Sequence, residues 1–106
     1  MNLVSINELA EGATKAHLAV ENNDISVIQL IEPSSILVQD NDGETPLHYA
    51  ATNGNVEICK ILVEKNPKIL TIKDVDNKTA YDWALAYNAE YNGSHKDVCD
   101  FLANYY

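Results

Sequence analysis

The chain reads as an all-α solenoid of stacked helix pairs, and three observations predict that fold. A ten-residue block, Asp42 to Ala51, recurs 34 residues later as Asp76 to Leu85 and 31 residues earlier as Glu11 to Val20. Each copy carries a turn former and then a threonine placed to cap a helix. After each comes a second apolar run at helical spacing. A period of roughly 20 to 50 residues marks a stack in which every unit buries its apolar face against its neighbours.

The elements follow in order. Thr14, Thr45 and Thr79 stand at equivalent places, and a threonine hydroxyl can satisfy an orphan N–H of a first helical turn. Pro46 follows Thr45 at the first helical position, where its missing N–H costs nothing. Two residues before each threonine, Gly12, Gly43 and Asn77 can supply the positive φ of a tight turn. Gly54 ends the first helix of the middle copy, and Asn23 replaces it in the first. The second helices are expected over Ile25–Ile31, Val56–Val63 and Lys96–Leu102. Pro33 and Pro67 mark the stops of the first two. Ser94, with Asp97 three residues on, has the spacing of a capping box for the third. Leu47, Ala50, Ile58, Ile61 and Leu62 are the expected core between repeats.

With 106 residues, 46% of them hydrophobic and 22% charged, the chain is long enough for one domain with a modest core. Acids outnumber bases 16 to 7, no base is an arginine, and the net charge is −9. That balance argues against nucleic acid and against anionic membrane surfaces, and favours a protein partner with a neutral or basic surface. No signal peptide, membrane span, CxxC or paired Cys/His is visible, which predicts a reduced cytoplasmic protein.

Residues 40–44, Asp-Asn-Asp-Gly-Glu, have the composition of a calcium loop. Counting dismisses it. With Gly43 at the sixth position of an EF-hand loop, Val38 falls at the first and Tyr49 at the twelfth, and neither replaces a carboxylate. Asp40 and Asp74, each opening its repeat, are expected to be turn formers. No metal or other cofactor is expected.

The stretch DGETPLHYAATNGNVEICKILV, with its turn, TPLHxAA block, glycine and second helix at a period near 33, resembles the ankyrin repeat. The resemblance implies one domain over residues 1–106, with short β-hairpin-like fingers between repeats at about 9–39, 40–73 and 74–106 and the outer two acting as caps. The first copy lacks the Pro and Leu of the motif and has a shorter second helix. The third has Asp82 for the motif His and six extra residues in the segment 87–93.

By the same resemblance, His17 and His48 are structural, bonding to the cap threonine and nearby backbone. Protein binding through the fingertips and the concave face of the inner helices, by a monomer and without catalysis, is the implied function. The implied contact positions are Asn41, Asp42, Glu44, Tyr49, Thr52 and Asn53 in the middle copy and Val75, Lys78, Trp83, Ala86 and Tyr87 in the third. Trp83, Tyr87 and Tyr91 run at i, i+4, i+8 and either wedge the insert onto the cap or stand beside the groove as anchors. A spacer cut from a longer repeat protein, or a small enzyme using the groove, are the alternatives. Cys59 and Cys99, at equivalent places on second helices, are expected to be free core thiols.

Overall fold

A computed structural model describes residues 13–106. Leu9, where the first repeat is expected to open, and Gly12 lie outside the described residues. The described residues form three helix pairs and no strand: α1 (Lys15–Glu21) with α2 (Ile25–Leu30), α3 (Pro46–Thr52) with α4 (Val56–Lys65), and α5 (Ala80–Glu90) with α6 (Lys96–Ala103). Short 3-10 helices, Pro33–Leu37 and Pro67–Thr71, follow the first two pairs. Both begin at the prolines that end α2 and α4, because proline tolerates a first helical turn but not a helix interior.

Local chemistry sets the boundaries. Thr45 Oγ1 accepts from the His48 N–H, and Thr79 Oγ1 from the Asp82 N–H. The outer helices α2 and α4 are capped by Asp24 and Asn55, each accepting from the N–H three residues on. Asn23, Gly54 and Asn77 all hold positive φ, as does Gly43. Helix α2 has 6 residues against 10 in α4, so the first copy is about one turn short, as its sequence indicates.

The expected cap at Ser94 is not made. Helix α6 starts at Lys96, as expected, but with His95 at its cap position and no side-chain cap bond. The reason is that His95 Nε2 reaches the Thr52 carbonyl oxygen at 2.7 Å, and Ser94 Oγ bonds His95 Nδ1 at 2.7 Å. The serine hydroxyl holds that ring instead of a helix N–H.

Packing follows the pairs. Inner helix α3 lies between α1 and α5, and outer helix α4 between α2 and α6. Leu47, Ala50, Ala51, Ile58, Cys59 and Leu62 are fully buried in the middle unit, with Ala19, Ile28 and Ile36 before them and Ala84, Val98 and Leu102 after. Ile61, expected in the core, is only partly buried, on the flank of α4. Among the described residues, Cys59 and Cys99 are both free and buried, and burial pushes the Cys59 thiol up to about 12.

Candidate functional site

The two fingers are built by one repeated device. Asp40 Oδ1 accepts from the N–H groups of Asp42 and Glu44 at 3.0 and 2.9 Å. Asp74 Oδ1 accepts from Asp76 and Lys78 at 2.9 and 3.0 Å. Each aspartate thus closes its own turn, as an Asx-type residue does, and both are buried. The fingers then join edge to edge, with the Val75 N–H donating to the Asp42 carbonyl at 3.0 Å. Gln39 Nε2 spans the junction, donating to the carbonyls of Gly43 and Lys73.

The histidines bind each finger to the helix before it. His17 Nε2 lies 2.7 Å from the Glu44 carbonyl oxygen and His48 Nε2 lies 2.9 Å from that of Lys78. A carbonyl only accepts, so Nε2 carries the proton and Nδ1 is left to accept from the cap threonine's N–H. Burial lowers the pKa of both imidazoles, outweighing the carbonyls and nearby aspartates that favour the cation. The structural role expected for His17 and His48 is what these bonds describe. Asp82, in the third copy, instead turns back to accept from the Thr79 N–H at 2.9 Å.

The eleven expected contact positions separate into three groups. Asn41, Asp42, Val75, Lys78 and Ala86 are exposed, and Val75 keeps 70% of its surface in water. Glu44, Thr52, Trp83 and Tyr87 are partly buried, and Asn53 is exposed but donates to Glu21 Oε1 at 2.8 Å. Tyr49 needs a correction. It is 6% exposed, tilted against His17 with ring centroids 4.8 Å apart, and its hydroxyl donates to Asp40 Oδ2 at 2.6 Å. The expectation of an exposed groove aromatic is not met, because the ring is buried and its hydroxyl is already bonded.

Trp83 makes the matching bond, Nε1 to Asp74 Oδ2 at 2.6 Å. Burial alone would raise the Asp74 pKa, but the indole and the two backbone donors reverse it and hold the carboxyl below its usual range. Tyr87 stacks on Tyr91 and on His95 at 5.7 and 5.5 Å, packing the insert against the start of α6 within the same repeat. Tyr91 remains exposed. Glu44, half-buried where the fingers meet, is pushed up to about 7 by burial and then by Asp40, Asp74, Asp42 and Asp76.

Asp40, Asp74 and His95 carry more of this geometry than their sequence context announces. The signal for the aspartates is present in the sequence: Asp40 and Tyr49, like Asp74 and Trp83, are nine residues apart and each aromatic has a donor tip. His95 has no such signal, because its acceptor lies 43 residues away on another repeat. Among the described residues, no group of three or more His, Cys, Asp or Glu could hold a metal ion. No described helix is long and apolar enough to cross a membrane.

Helix pairs stacked through a finger and a TPLH-type histidine define a class of repeat protein, and comparison with known sequences gives the family. A model described as ankyrin repeats, in three copies, matches residues 16–106, and the chain belongs to the ankyrin-repeat family. That family is a non-catalytic, protein-interaction fold. The chain is similar to the Transient receptor potential cation channel subfamily A member 1 homolog of Caenorhabditis elegans, 29% identical over 89 residues, or 81% of this chain and 7% of that protein. It is similar to Protein phosphatase 1 regulatory subunit 12A of Mus musculus, 32% identical over 85 residues, 78% of this chain and 8% of that one. BRCA1-associated RING domain protein 1 of Caenorhabditis elegans is 28% identical over 82 residues, 74% and 12% respectively. The chain thus spans 7% to 12% of the length of these relatives.

Proposed function

We propose that this chain is a protein–protein interaction module that docks its partner through the fingertips and the concave face of the inner helices. Val75 carries the reading. An aliphatic side chain 70% in water is held on a finger whose backbone is bonded to Asp42 of its neighbour. Exposed Asp42, Asp76 and Lys78 share the two fingers with it. An ordered apolar contact with a charged rim is the anatomy of a binding edge.

The partner is a protein with a neutral or basic surface. The net charge of −9 speeds encounter with such a surface and disfavours nucleic acid and anionic membranes. The contacts are Asn41, Asp42, Val75 and Lys78 on the fingers, with Ala86 and Tyr87 on the inner face. Docking is that of a rigid monomer in the cytoplasm, without catalysis. His17 and His48 have both ring nitrogens engaged in the fold, so neither imidazole is free to act as a base.

The test is affinity capture of partners from the native cell with three forms of the chain. Asp42→Lys with Asp76→Lys on the fingers is expected to lose the proteins that the unaltered chain retains. Lys60→Glu on outer helix α4 is expected to keep them. Retention by the finger variant together with loss by Lys60→Glu would move the binding site to the convex face.

A further inference from the structure

The two fingers are tied to their inner helices by different side chains that do the same thing. A phenol hydroxyl (Tyr49) and an indole N–H (Trp83) each donate to the Oδ2 of an aspartate nine residues earlier, both at 2.6 Å. In both cases Oδ1 of that aspartate already accepts the two N–H groups that shape the turn. The rings differ in size and shape, so the shared property is the donor at the tip. A purely apolar residue at 49 or 83 would fill space equally and leave Oδ2 of a buried carboxylate without its short, charge-assisted bond.

Each carboxylate is therefore a joint with two halves. Its Oδ1 bonds are local, two and four residues on, and fix the shape of the finger. Its Oδ2 bond runs to the helix that follows and fixes where the finger points. Further ties come from the preceding helix, through His17 and His48, from the other finger, through Val75 and Asp42, and from Gln39 across the junction. We propose that Tyr49 and Trp83 are positioning residues that act through Asp40 and Asp74 to hold both fingertips in one fixed orientation against the inner helices. The use of that orientation for docking rests on the protein-binding reading above, but the strut itself does not.

The lowered pKa of Asp74 agrees with a carboxylate gripped by the indole and two backbone donors. The value of the device is entropic. A finger already held in its bound conformation loses less freedom when a partner arrives.

Amide hydrogen exchange, followed residue by residue in the full chain, tests this without any partner, so its outcome is separate from whether a protein ligand exists. In Tyr49→Phe, which keeps the ring and removes the donor, the Asp42 and Glu44 amides are expected to exchange about tenfold faster or more, the scale of a lost charge-assisted bond. The amides of α4 and α6 keep their rates. Trp83→Phe is expected to do the same to Asp76 and Lys78 while leaving Asp42 and Glu44 slow. Unchanged finger amides in both variants would overturn the assignment. So would an equal acceleration of every amide, which would mean that the two bonds serve overall stability and not the fingers.

Discussion

His48 Nε2 lies 2.9 Å from the Lys78 carbonyl oxygen, so the inner helix of the middle repeat is pinned to the second finger by one buried imidazole. Its other nitrogen accepts from the Thr45 N–H at 3.1 Å. Replacing His48 with leucine would keep the volume and strand two backbone groups, the Thr45 N–H and the Lys78 carbonyl. We expect His48→Leu to lose about 2–4 kcal/mol of stability in chemical denaturation, the scale of two orphaned buried partners.

Acidification should act on the fold in two opposed ways. His17 and His48 have folded pKa values below 6.5 because burial disfavours the cation. Their stabilisation is therefore complete above 6.5 and lost as pH falls from there through the folded values. Glu44 has the opposite sign: raised from 4.5 to about 7, it binds its proton more tightly when folded. Its ionisation weakens the fold above about 7, and that penalty is relieved as pH falls toward 4.5. Glu44→Gln is expected to raise the melting temperature at pH ~8 and to lose that advantage by pH ~4.5. A constant difference across the range would show that Glu44 has the same pKa folded as unfolded.

Leu62 is fully buried on α4, between α2 and α6. Leu62→Ala is expected to cost about 2–5 kcal/mol. Each repeat is held mainly by its neighbours, so the loss should appear as a lower midpoint of a single transition. Denaturation followed by circular dichroism checks both points.

Gly43 holds φ +78°, and a Cβ there would sit 2.8 Å from the Val75 nitrogen. The obstacle is backbone of the second finger, which cannot swing aside as a side chain could. Gly43→Ala should destabilise by about 1–3 kcal/mol and shift the amide resonance of Val75, since that N–H donates to the Asp42 carbonyl. A normal Val75 resonance in this variant would show that the fingers do not touch as described.

The repeat architecture was legible because each helix start and stop is written in nearby residues: Thr45 and Thr79 as caps, Gly43, Gly54, Asn23 and Asn77 at positive φ. Such signals act over two to four positions and survive without knowledge of the tertiary fold. The site was less legible. Tyr49 reads as an aromatic on the groove face, and only the finger folding back over α3 buries it and brings Asp40 within 2.6 Å of its hydroxyl. Ser94 failed as a cap for a similar reason, since the segment before α6 folds back to place His95 on the Thr52 carbonyl. Long-range hydrogen bonds decide both cases, and one-dimensional periodicity does not contain them.

The histidine bonds also give the stack a grammar. The two inner-helix imidazoles reach forward, His17 to the first finger and His48 to the second, while His95 reaches back to the Thr52 carbonyl. Asp82 keeps the local half of that pattern, accepting from the Thr79 N–H, while Tyr106 stacks on Tyr81 at 5.0 Å and its hydroxyl donates to the Leu70 carbonyl. The two inner-helix hooks thus run one way, and the third described repeat carries a carboxylate where the next hook would stand. Asp82→His is the change that would give this repeat a hook of the same kind for a following finger.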